Sequence, residues 1–238
     1  LGNHEVIEQM RKKYNEDIIK TCCEKKIHLY EKIALDSEGN IYITGYTNSS
    51  GTKDFDAFIA KFDADGEQVW NTTWGQNSYD KGKDIALDNE GNIYIVGRTN
   101  ETSTNDFDAF VAKFDSNGEQ VWNSTWGKSQ FDMGNGITLD GEGNIYITGR
   151  TDTNNDAFVA KFNNTGHQKM NTSWGDIGSD QGYDIAIDLE RNIFIAGETQ
   201  AGSVLWTQAF ITKFNANGDY QWNSTWGGEE WDFGRALT

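Results

Sequence analysis

Proline is absent from the 238 residues. Every turn must therefore rely on Gly, Asn and Asp, which accept the positive φ angles that tight turns demand. Cysteine is nearly absent. Cys22 and Cys23 are adjacent, and neighbouring residues rarely bridge, so no disulfide framework staples the fold. Histidine is limited to His4, His28 and His167, which leaves Ser-His-Asp and Cys-His chemistry short of parts. No zinc-ligand spacing or phosphate loop occurs. No apolar run approaches the roughly 18 residues that a spanning helix needs, so membrane insertion is not expected. Positive charge is scarce: 20 basic residues stand against 37 acidic ones, a net of −17. An acidic body of this kind repels phosphate backbones, and nucleic acid is excluded as a natural partner.

What is present is repetition. The segment Ile33-Ala-Leu-Asp-Ser-Glu-Gly-Asn-Ile-Tyr-Ile-Thr-Gly45 recurs from Ile85, Ile137 and Ile185, so the periods are 52, 52 and 48 residues. Periods of this length with β-patterned segments indicate propeller blades. Each copy reads as four strands. The first is Ile33–Leu35, followed by an Asp36…Gly39-Asn40 turn and a second strand, Ile41–Tyr46. A loop of varying length leads to Asp56–Phe62. A hairpin at Asp63-Ala-Asp-Gly66 then leads to Gln68–Trp74. Trp70, Thr72 and Trp74 share one face of the fourth strand. Trp74, Trp126, Trp174 and Trp226 fill one recurring position. Trp70, Trp122 and Trp222 fill another, with Met170 as the flexible substitute. The expected fold is all-β: a β-propeller of four four-stranded antiparallel blades, about 33–84, 85–136, 137–184 and 185–238.

The co-occurring patterns Gly-Asn-Ile-Tyr-Ile-x-Gly, Asp-Ala-Phe-x-Ala-Lys-Phe and Gly-x-x-x-Trp-x-x-x-Trp-Gly resemble the SBBP-type β-propeller repeat of bacteria and archaea. The resemblance covers about 33–238. It implies a propeller, often within a large surface or secreted protein, and brings no catalytic residues with it. Copy four departs most: Arg191 replaces Gly, and Gln208 stands where Asp56, Asp108 and Asp156 occur. Arg235-Ala-Leu-Thr238 reads as the beginning of a further first strand. The expectation is a piece of a larger propeller, or a stub that pairs with the first blade; an incomplete ring would invite self-association.

Residues 1–32 differ. Val6, Ile7, Met10, Tyr14, Ile18 and Cys22 recur at spacings of three and four, which predicts an amphipathic helix or linker preceding the propeller.

Candidate sites fall into two groups. Positions alike in every copy read as scaffold. Asp80, Asp132, Asp180 and Asp232 recur between the fourth strand and the next first strand. They fit a turn cap first and a cation site, with calcium as the ion, second; no other cofactor is expected of the binding module. Asn71, Asn123, Asn171 and Asn223 recur as Asn-x-Ser/Thr acceptors on the outermost strand, which suits an extracellular or cell-surface setting. Positions that differ among copies are free to specialise. Tyr46, Arg98, Arg150 and Glu198 end the second strands and are candidate ligand contacts, the two arginines toward an acidic group. Trp206, in the loop of copy four, is a candidate anchor for a sugar or protein. The functional expectation is a non-enzymatic module binding protein or glycan through one face. The alternatives are an axial-channel enzyme acting on sugars or with a quinone, and a purely structural repeat segment.

Overall fold

A computed structural model of the chain describes residues 27–48, 55–75, 79–100, 106–127, 131–152, 155–175, 178–200, 206–228 and 231–237. These residues form four antiparallel four-stranded sheets. The first holds β1 (Ile27–Leu35), β2 (Ile41–Thr47), β3 (Asp56–Phe62) and β4 (Gln68–Trp74). The second holds β5 (Lys81–Leu87), β6 (Ile93–Thr99), β7 (Asp108–Phe114) and β8 (Gln120–Trp126). The third holds β9 (Met133–Leu139), β10 (Ile145–Arg150), β11 (Ala157–Phe162) and β12 (Gln168–Trp174). The fourth holds β13 (Asp180–Ile187), β14 (Ile193–Thr199), β15 (Gln208–Phe214) and β16 (Tyr220–Trp226). In each sheet the strands pair in chain order, as a meander. The first strands β1, β5, β9 and β13 pack successively against one another, so they are the inner strands of successive blades.

Each first strand starts earlier than its apolar residues alone suggest. Ile27 pairs with Thr47 and Leu29 with Tyr46, so residues 27–32 belong to β1 and not to an N-terminal helix. Cross-strand pairing decides the conformation there, and the helical periodicity of Val6–Cys22 does not reach it. Residues 1–26, with the rest of the expected helix and the cysteine pair, lie outside the described residues.

The inner edge bulges at a fixed place: the register shifts between Gly82 and Asp84 opposite Gly97, and between Gly182 and Asp184 opposite Gly197. A Cβ at Gly97 would collide with the carbonyl oxygen of Lys81 and the Phe110 ring. The same approach at Gly149 and Gly197 accounts for the glycine that ends the second-strand segment in these copies.

The blade turn is built around one carboxylate. Asp88 Oδ1 accepts the N–H groups of Glu90 and Asn92, both at 2.9 Å. Its Oδ2 accepts Asn92 Nδ2 at 2.7 Å and the Tyr94 hydroxyl at 3.0 Å. Asp36 and Asp140 repeat the set. In copy four Phe194 replaces the tyrosine, and Asp188 keeps its bonds to Asn192. Desolvation works to raise these carboxyls, but the donated hydrogen bonds hold Asp36, Asp88 and Asp140 below the usual range. Arg191, in the glycine position of this turn, keeps a left-handed φ of 64° and ion-pairs with Glu142 of the preceding blade.

Neighbouring sheets are joined by aromatic stacking. Trp74 stacks on Phe110 at 4.0 Å, Trp126 on Phe158 at 4.0 Å and Trp174 on Phe210 at 4.3 Å, each Trp reaching the next blade's third strand. The flat rings of Trp70 and Trp122 lie beneath the hairpin glycines Gly118 and Gly166, and Met170 lies beneath Gly218. Inner strands are also stapled by side chains. Asp84 Oδ2 accepts Ile137 N–H at 3.0 Å, and Asp184 Oδ2 accepts Leu237 N–H at 2.7 Å. Residues 231–237 thus follow the path of an inner strand, with Gly234 N–H donating to Gly197 O at 3.0 Å. No comparable packing joins the fourth sheet to the first among the described residues. The outer face of the fourth sheet is correspondingly open, with Trp226 52% exposed.

Truncating the Trp–Phe contact should therefore cost unequally. Trp126→Ala is expected to lose about 3–5 kcal/mol of stability in urea unfolding of the 238-residue chain, and Trp226→Ala less than about 1 kcal/mol. Equal losses would mean that Trp226 is covered.

The buried staple Asp84 supplies a second test. Burial pushes its carboxyl up to about 6, against the attraction of Lys32 at 3.7 Å and the two N–H groups it accepts; Asp184 reinforces the rise. The folded state therefore holds this proton more tightly than the unfolded chain, so the contribution of Asp84 to stability falls as pH rises from about 4 to about 6. Asp84→Asn keeps an acceptor for Ile137 but not the charge. Relative to wild type, this variant should gain stability over that interval, on the order of 3 kcal/mol, in denaturant titrations at stepped pH.

Candidate functional site

The meander separates the two ends of every blade. One end carries the aspartate turns and the Gly hairpins, nearly identical in the four copies. The other carries the β2–β3 loops, the connections to the next blade and the ends of the second strands. The copies differ there, and the candidate contacts Tyr46, Arg98, Arg150 and Glu198 lie at this end.

The structure brings Tyr46 and Arg98 into one arrangement with residues not singled out by sequence. Tyr46 packs on Phe55 with centroids 5.6 Å apart, Phe55 on Tyr79 at 4.9 Å, Tyr79 on Phe107 at 5.9 Å and Phe107 on Phe131 at 5.2 Å. The result is a continuous arc of rings from the first blade to the third. Isolated bridges Phe55↔Tyr79 and Phe107↔Phe131 hold its members in register. Two cations lie on the arc. Lys81 Nζ sits 3.7 Å from the Tyr46 centroid and 4.9 Å from that of Tyr79. The Arg98 guanidinium lies 5.1 Å from Phe107, 5.2 Å from Phe131 and 5.7 Å from Tyr79. Lys81 and Arg98 face one another across the β5–β6 register. Burial pulls Arg98 below its ordinary range, offset in part by Tyr79, and its Nε is buried without a hydrogen-bond partner.

Arg150 and Glu198 belong to a second cluster. Arg150 donates to Asn155 Oδ1. Glu198 accepts from the Tyr183 hydroxyl; desolvation first, and then this bond, raise the phenol above its ordinary range. Arg235 covers the Tyr183 ring at 4.8 Å. At this junction Asn155 and Ser179 replace the aromatic pairs of the first two, so the arc stops at Phe131.

The aspartates Asp80, Asp132 and Asp180 are almost wholly buried, and Asp232 partly so. Their backbone N–H groups donate to Phe55, Phe107, Asn155 and Thr207 carbonyls at 2.6–3.0 Å, which ties the interblade connection to the start of the third strand. Their carboxylates close around the glycine after each outer Trp, at Gly75, Gly127, Gly175 and Gly227. No group of three or more His, Cys, Asp or Glu side chains among the described residues is arranged to hold a metal ion.

The SBBP family, described as a beta-propeller repeat, matches residues 30–51, 73–103, 132–155 and 175–203. The chain belongs to the SBBP β-propeller repeat family. No curated protein matches the sequence. Among solved structures, the Pan2 WD40 domain of Neurospora crassa aligns with a TM-score of 0.53 at 11% identity, over 82% of this chain and 49% of that one. The GH43 endo-arabinanase of Bacillus licheniformis aligns with a TM-score of 0.47 at 11% identity, over 79% of this chain and 72% of the other. The SBBP chain thus spans about half the length of the WD40 domain, and likeness at such identity is a likeness of fold.

Within the SBBP frame the remaining candidates are placed as follows. Asn71, Asn123, Asn171 and Asn223 are exposed on the outermost strands. Trp206 is 39% exposed, and the neighbouring loop residues 201–205 lie outside the described ones. His167 is exposed in its hairpin, next to the Thr165 hydroxyl. The arc residues Phe55, Tyr79, Phe107 and Phe131 went unnoticed in the sequence because their spacing spans two copies. Aligning the residue before each third-strand Asp with the residue before each recurring Asp reveals them.

Arg98 places a partly buried cation on rings without an ion pair among the described residues, so it should contribute little to folding. Arg98→Met is expected to leave urea stability within about 1 kcal/mol of wild type or above it. A loss of 3 kcal/mol or more would mark Arg98 as a structural residue.

Proposed function

We propose that this SBBP propeller is a non-enzymatic binding module that recognises a protein or glycan through the end of the blades carrying the second-strand termini. One observation carries the reading: residues at that end differ from blade to blade and set two cations on one continuous arc of buried and partly buried rings, whereas the opposite end repeats nearly the same turn, with the same lysine–ring contact, in all four blades. Rings with a polar handle or a cation are favoured contact residues. The inner-strand carboxylates that an axial enzyme would need are engaged in folding contacts, since Asp84 and Asp184 each accept backbone N–H groups. The exposed Asn-x-Ser/Thr sites on all four outer strands support an extracellular or cell-surface setting.

The test is a glycan-array and protein-partner screen of three proteins: wild type, a Tyr46→Ala/Trp206→Ala variant, and a Glu90→Ala/Glu142→Ala variant altered at the opposite end. Binding should fall at least fivefold in the first variant and hold in the second. Binding lost only in the second variant would place recognition at the turn end and overturn the reading, as would a screen without any ligand.

A further inference from the structure

The arc of rings holds two cations, Lys81 and Arg98, seated on aromatic faces. The chain has 37 acidic residues, yet neither Lys81 nor Arg98 forms an ion pair among the described residues. Glu31 is within electrostatic reach of Arg98, but its carboxylate holds Lys83 Nζ at 3.0 Å. Removing a guanidinium from water without a carboxylate is costly, and a partly desolvated charge of this kind marks a candidate ligand site.

We infer that Lys81 and Arg98, on the ring arc between the first and third blades, form a binding site for the carboxylate of a uronate-containing glycan; this rests on the binding-module reading above. The guanidinium and ammonium supply charge-assisted donors for a carboxylate. Phe55, Tyr79, Phe107 and Phe131 are partly exposed, and that remaining ring surface suits the C–H face of a pyranose. A peptide backbone finds no free edge at the bridges that frame the arc: Asp80 N–H already donates to Phe55 O, and Asp132 N–H to Phe107 O, both at 2.6 Å. The field of a protein with net charge −17 repels every anionic glycan, and a uronate, with one negative charge per sugar, less than a multiply sulfated or phosphorylated one. The third junction lacks the site because Asn155 and Ser179 replace the rings and Asn155 engages Arg150.

The test is calorimetric titration of the whole 238-residue protein with tetrasaccharides of galacturonate, glucuronate and mannuronate. The galacturonate methyl ester, a heparin tetrasaccharide and a tetraglutamate peptide serve as comparisons. At least one uronate should bind, at least tenfold more tightly than the methyl ester, and more weakly as salt rises. Arg98→Met and Lys81→Met should each weaken it at least tenfold, with near-ultraviolet circular dichroism unchanged; if Arg98→Met loses that signal, Lys81→Met alone decides. The inference is overturned if no uronate binds, if ester and acid bind alike, or if heparin or tetraglutamate binds more tightly through the same two residues. A neutral glycan or protein ligand unaffected by either substitution would also overturn it, while leaving the binding-module reading standing.

Discussion

Everything in this molecule depends on the contact between a Trp at the end of one blade's outer strand and a Phe in the third strand of the next. A four-stranded sheet with apolar residues on both faces cannot bury either face by itself. The Trp74–Phe110, Trp126–Phe158 and Trp174–Phe210 stacks convert four such sheets into one structure, because each sheet supplies the cover for its predecessor. The same logic explains why Trp222 and Trp226 remain 43% and 52% exposed: their side of the fourth sheet has no following sheet among the described residues.

That stacking fixes the two ends of the blades in different ways. At the turn end of the first three copies, one carboxylate accepts two backbone N–H groups, an asparagine amide and a tyrosine hydroxyl, which constrains the sequence there; copy four keeps the Asp188–Asn192 bonds with Phe194 in place of the tyrosine. At the other end the recurring aspartate and glycine close the connection to the next blade, and the neighbouring positions are left free. Even the inner-strand staples vary. A carboxylate joins β5 to β9, whereas the Asn135 amide, donating to Gly182 O at 2.8 Å, joins β9 to β13.

The electrostatics follow the same division. The turn carboxylates sit below their ordinary range because donors surround them, and Asp84 sits above it because burial outweighs its partners. A lysine meets an aromatic ring at the turn end of all four copies, whereas Lys81 and Arg98 share one arc of rings at the variable end. A site of opposite sign within an acidic body selects ligands locally, and the long-range field keeps highly charged ones away.

The repeat by itself determined the blade, its hairpins and the aromatic ladder. Short-range geometry and period-2 burial leave few alternatives for Gly-Asn-Ile-Tyr-Ile or Trp-x-x-x-Trp. It also directed attention to Tyr46 and Arg98, which proved to share an arc, and to Arg150 and Glu198, which lie in a different cluster. Sequence could not reveal where β1 begins, since pairing with β2 draws residues 27–32 into a strand. Nor could it reveal that Phe55, Tyr79, Phe107 and Phe131 touch. Those rings are more than twenty residues apart in successive pairs, and only the stacking of blades brings them beneath Lys81 and Arg98. Local periodicity encodes a blade; what a blade presents beside its neighbour is decided by the packing of one blade on the next.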